Sequence, residues 1–162
     1  AGSRIRPHHP RDQASLQIEV MAMRGSKHGK LQHCRDVIRD CLNIVEERGD
    51  TFVAIHKDDE TECVILVSMI RTQSILSVIV ADKILFAEGN ETEMYRTANE
   101  LNSESVTGWH TIVLKDSGSI YMYRQCLWIS ESLTSSELTD ILCDCITEYK
   151  IGRSRFAPHE AS

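Results

Sequence analysis

Six cysteines and seven histidines are the residues with the widest chemical reach in this sequence. Cys143-x-Cys145, with Cys34 and Cys41, could bring four thiolates to zinc. Structural zinc sites use short-spaced pairs on turns, so that the ligands converge. Here both pairs fall on helical patterns, where residues two apart point their sulfurs roughly 100–200° away from each other. Buried reduced thiols acting as small hydrophobes are the plainer reading. A cysteine nucleophile served by His33, His56 or His110 would need a supporting motif, and none surrounds them. Asp58, Asp59, Glu60 and Glu62 could gather a cation, but a charged hairpin turn that stays solvated is the plainer reading. The phosphate cradles GxxxxGKS/T and GxGxxG are absent, as are HExxH, the EF-hand loop and GxSxG. The sequence offers no catalytic residue, metal ligand set or cofactor, and reads as a protein that is not an enzyme. A small Cys/His-based metal-binding sensor or enzyme is the alternative.

Tyr121, Tyr123 and Trp128 could stack bases, as aromatics on the sheets of some RNA binders do. Sheet core is the bland reading. A protein-docking face for part of the set lies between the two, with Arg124 as a polar contact amid the apolar surface.

These residues need a sheet to place them. Glu62–Phe86 reads ECVILVSMIR, a polar break at Thr72-Gln73-Ser74, then ILSVIVADKILF. Both halves are rich in β-branched residues and too short to cross a bilayer, so they predict two adjacent antiparallel strands. In the first, Cys63, Ile65, Val67 and Met69 alternate with Val64, Leu66 and Ile70, so both faces are apolar. Such a strand is covered on both sides, or covered on one and packed against a partner on the other.

Lys30–Arg48 predicts a helix with Leu31, Cys34, Ile38, Cys41, Leu42 and Val45 as its stripe and Gly49 as its stop. Thr51–Lys57 is a first strand. Asn90 and Glu93 have capping-box chemistry and open a helix to Ser103. Its narrow stripe suggests a dimer contact at Met94, Tyr95, Ala98 and Leu101. Trp109–Lys115 and Ser119–Ile129 are strands joined at Asp116-Ser117-Gly118, with Gly where φ must be positive. Along the second, Ile120, Met122, Arg124, Cys126 and Trp128 alternate with Tyr121, Tyr123, Gln125, Leu127 and Ile129. Thr134 and Glu137 form a second capping box, opening a helix to Lys150 that Gly152 ends. The order α-β-β-β-α-β-β-α predicts an α+β two-layer sandwich, with a five-stranded antiparallel sheet and helices mainly on one face. Residues 1–29 read as a flexible leader with a cloning remnant at Ala-Gly-Ser, and Leu16, Ile18 and Val20 as an edge-strand pattern within it. Residues 30–151 read as one domain and 152–162 as a tail.

The chain has 162 residues, net charge −6 and 41% hydrophobic residues, suited to one globular domain. No apolar run reaches membrane length, and the N-terminus has no secretory h-region, so no membrane partner is expected. Residues 1–30 hold six Lys/Arg and two Asp/Glu; the remainder holds twelve and twenty-two. An acidic body repels phosphate backbones, so no nucleic-acid partner is expected; the basic leader is the counter-argument. Cysteines on apolar stripes fit a reducing cytoplasm.

The order of elements resembles the type III secretion chaperone-like fold, closest to the YbjN family of bacterial proteins assigned to sensory-transduction regulation. The matching residues are Ala98-Asn99-Glu100-Leu101-Asn102, Trp109–Lys115, the Gly118 turn, and Leu133-Thr134-Ser135-Ser136-Glu137-Leu138, within a likeness spanning residues 30–151. The resemblance implies a small acidic cytoplasmic homodimer without enzymatic activity. It also implies that the dimer holds an extended segment of a client or regulatory protein along apolar grooves and sheet edges.

Overall fold

The computed structural model describes residues 29–84, 90–115, 118–130 and 132–156. Most of the leader, with the Leu16, Ile18 and Val20 pattern, lies outside them, as do Glu88-Gly89, Asp116-Ser117 and the end of the tail. The elements are α1 (29–41), β1 (Ile44–Arg48), β2 (Thr51–Lys57), β3 (Glu62–Ile70), β4 (Ile75–Ile84), α2 (Glu91–Glu104), β5 (Trp109–Val113), β6 (Ser119–Trp128) and α3 (Ser135–Phe156). The order is α-β-β-β-β-α-β-β-α. The sheet is antiparallel, six-stranded and ordered β1-β2-β3-β4-β6-β5, with β6 between β4 and the edge strand β5.

The sixth strand corrects the long first helix. The helix stops at Cys41, and Ile44–Arg48 turns back along β2. A Gly49-Asp50 turn, with Gly49 at φ 60°, closes the hairpin. Two arginines on α1 fix it. Arg35 donates to Glu47 at 3.1 Å, the Gly49 carbonyl at 2.6 Å and Asp50 at 2.5 Å, and Arg39 donates to Glu47 at 2.7 Å. Glu47 therefore faces the helix layer. Val45, expected on a helical stripe, is instead 54% exposed beside a bulge.

The last helix also runs past its expected end. Gly152 is not a stop but a close approach: a Cβ there would overlap the Tyr121 hydroxyl. The helix continues to Phe156, which is buried. Thr134 and Glu137 form the capping box, with the Glu137 N–H donating to Thr134 Oγ1 at 3.2 Å and the Thr134 N–H to Glu137 Oε2 at 2.8 Å. At α2 the box does not close. Asn90 makes no side-chain cap, and Glu93 accepts from Arg96 at 2.5 Å instead.

The core lies between the sheet and the three helices. Leu31, Cys34, Val37 and Ile38 come from α1, Met94, Ala98 and Leu101 from α2, and Leu138, Leu142, Cys145, Tyr149 and Phe156 from α3. The sheet meets them with Phe52, Ala54, Cys63, Ile65, Val67, Met69, Leu76, Val78, Val80, Ile112, Tyr121 and Tyr123. Among the described residues, no helix is long and apolar enough to cross a membrane.

Candidate protein-docking face

Strand side chains alternate between faces, so the residues between those core positions stand on the side away from the helices. The cross-strand register arranges them in rows. The middle row runs Glu46, Val53, Leu66, Ile79, Arg124, Trp109 from β1 to β5. One flanking row is Ile55, Val64, Ala81, Met122, Thr111; the other is Arg48, Thr51, Ser68, Ser77, Cys126. Ile70, Ile75 and Trp128 form an outer row. This face is apolar and open: Val64 is 46% exposed, Trp109 43% and Trp128 70%, with Ile55 and Ile70 each at 37%. An exposed apolar face of this composition is what makes it the candidate docking surface.

Its polar groups gather in the Arg48–Cys126 row and at the rim. Thr51 and Ser68 share a hydrogen bond at 3.2 Å. Lys57 and Glu62 pair at 2.6 Å at one end. Arg124 is the charge in the interior of the face. Its guanidinium lies 5.4 Å from the Trp109 ring, a cation–π contact, and its Nε is buried without a hydrogen-bond partner among the described residues.

Tyr121 and Tyr123 point the other way and are fully buried, so they belong to the core and not to the surface of Arg124 and Trp128. Tyr121 donates to or accepts from His110 Nδ1 at 2.7 Å, and its ring stacks on His110 and Tyr149. Burial pushes His110 down to about 4, so the imidazole is neutral near pH 7. Met94, Ala98 and Leu101 likewise pack inward, and of the expected dimer contacts only Tyr95, 48% exposed, reaches the surface. Trp109 is the exposed aromatic of this face that sequence reasoning missed, although its place one residue before an inward His110 in an alternating strand carried the signal.

The thiol chemistry finds no assembled site. Cys34, Cys63 and Cys145 are buried and Cys41, Cys126 and Cys143 exposed, all free. Among the described residues, no three His, Cys, Asp or Glu side chains cluster to hold a metal. Burial pushes Cys63 up to about 11 and Cys145 up to about 12, opposite to an activated nucleophile. His110 lies against tyrosines, and His33 bonds Ser135 at 3.0 Å. His56 bonds Asp58 at 3.1 Å. Asp58 also pairs with Lys150 of α3 and accepts the Thr61 N–H at 2.8 Å. These contacts, the Lys150 bond first, hold its carboxyl well below the usual range.

An antiparallel sheet roofed on one face by helices, with the other left apolar, defines the class as a two-layer α+β sandwich. The solved structure of YbjN from E. coli, described as "a putative transcription regulator", is similar to this chain with a TM-score of 0.60. The likeness covers 82% of this chain and 96% of that one at 10% sequence identity, so what the two share is the fold. No protein-family description and no curated protein matches the sequence.

Proposed function

We propose that this chain is a non-enzymatic protein-binding module of the regulatory or secretion-chaperone-like kind. It works in the cytoplasm as a homodimer that engages an extended segment of a partner protein. The observation that carries the reading is the sheet face that, among the described residues, no helix covers. Its five most exposed apolar side chains alone leave open an area on the order of 500 Å², at the upper end of what a monomer leaves bare. The half-exposed Val53, Leu66, Ile75, Ile79 and Met122 extend it toward the ~800 Å² that each partner contributes to a stable interface.

The sheet edges support the second half of the reading. β1 is guarded by Glu46, Glu47 and Arg48 and by its bulge, devices that discourage strand addition. β5 reads WHTIV and carries no carboxylate or amine. The His110 N–H and C=O are taken by the Asn102 side chain, at 2.6 and 3.0 Å. Ile112, two residues on, directs its backbone groups to the same side, where an extended segment could pair.

Light scattering on the full chain across the micromolar range tests the dimer, and a tiled array of unfolded peptides tests the segment. The expected results are a mass twice 18.4 kDa and retention of peptides with alternating apolar residues. A mass of one chain at every concentration, with no peptide retained, overturns the proposal.

A further inference from the structure

The geometry points to a specific self-association. The helix-free face docks on the same face of a second copy, about a two-fold axis running along the strands between β3 and β4. Glu46 of each copy thereby reaches Arg124 of the other. This deepens the homodimer reading and rests on it.

The argument comes from the register. A two-fold axis along the strands keeps position along the strand and exchanges the two sides of the sheet. In the order β1-β2-β3-β4-β6-β5, an axis between β3 and β4 sets β3 over the partner's β4, β2 over its β6 and β1 over its β5. The middle row then meets itself reversed. Leu66 falls over Ile79, Val53 over Arg124, and Glu46 beside Arg124 and Trp109. Reversed, the row sets the Glu46 carboxylate over Trp109 and one strand from the Arg124 guanidinium, at both ends alike, so it matches its own reverse in charge. An interface between identical copies needs that property.

The flanking rows agree. Val64 meets Ala81, Ile55 meets Met122, and the Ser68 hydroxyl meets that of Ser77. At one end, Glu62 lies two residues beyond Val64 on β3, and Lys83 two residues beyond Ala81 on β4, so these opposite charges also face each other. Arg124 supplies the second observation. Its Nε has no partner among the described residues, although the side chain is held in place over Trp109. An incoming carboxylate satisfies it. Glu46 pairs with its own Arg48 on an exposed surface, a contact weak enough to exchange. Aligned sheets cross at about 30°, which slides the outer strands by about one or two residues, within the reach of Glu and Arg side chains.

Charge exchange tests the arrangement. Glu46→Arg and Arg124→Glu are each expected to weaken the dimer about tenfold or more. The double variant Glu46→Arg/Arg124→Glu is expected to recover most of that loss, because each copy again presents opposite charges. Circular dichroism melts of each variant check that the monomer folds. The chain's two tryptophans, Trp109 and Trp128, both lie on this face, so their emission shifts to the blue as the mass doubles with concentration. A stable dimer indifferent to the single variants, or not rescued by the double, overturns the geometry and leaves the homodimer reading intact. A monomer at every concentration overturns both. If its tryptophans are also shielded from acrylamide, another segment of the same chain occupies the face.

Discussion

A helix normally prefers alanine to glycine by about 1 kcal/mol, so Gly152 inside α3 has a reason outside the helix. That reason is the Tyr121 hydroxyl, which occupies the space of a Cβ. Gly152→Ala is expected to lose roughly 1–3 kcal/mol in urea unfolding, the cost of overpacking a fixed core. Adding Tyr121→Phe should return part of the loss, since it removes the overlapping oxygen. The neighbouring His110 gives the stability a pH dependence whose sign is fixed. Its folded value, about 4, lies below the ordinary 6.5, so below pH 6.5 the unfolded chain binds the proton and the folded chain does not. Stability is therefore flat above pH 6.5 and falls as the pH drops toward 4, by up to ~3 kcal/mol. Carboxylates held down by partners, Asp58 and Glu137 among them, add their losses only at more acidic pH. Denaturation between pH 7 and 5 isolates the histidine, and His110→Gln should flatten that interval.

At the level of elements, α2 and β5 are joined by one side chain. Asn102 binds both backbone groups of His110 and completes the edge strand where, among the described residues, no neighbouring strand does. Asn102→Ala leaves a donor and an acceptor unpaired, so a loss of ~1–3 kcal/mol and faster hydrogen exchange at His110 are expected. Asn102→Asp keeps the acceptor but not the donor and should fall between. Strand patterns and the α3 capping box were legible in the sequence because each is written in adjacent residues. The β1 hairpin was not. Leu42 and Val45 continue the α1 stripe, and what ends the helix is contact with Arg35 and Arg39 across the turn, which no local pattern records. The alternation along β6 already separated Tyr121 and Tyr123 from Arg124 and Trp128. Their shared aromatic character hid the fact that one pair is core and the other surface. The α2 stripe was correctly apolar, but sequence could not say that the sheet, rather than a second copy, covers it.

At the scale of the whole molecule, three helices roof one face of a sheet whose strands are apolar on both. The other face keeps large apolar side chains in water, and the proposed homodimer supplies their cover. Val64 stands at the middle of that face, 46% exposed, with no part in the helix-side core. A carboxylate there costs a lone monomer little, because water reaches it. In a dimer it is buried against Ala81 of the other copy, and desolvating it is expensive. Val64→Asp should therefore give a folded single-chain mass in light scattering, unchanged circular dichroism and tryptophan emission shifted to the red. Its urea midpoint should no longer depend on protein concentration, whereas the parent's midpoint should rise with it by mass action. A Val64→Asp protein that keeps a doubled mass would place the contact on another surface.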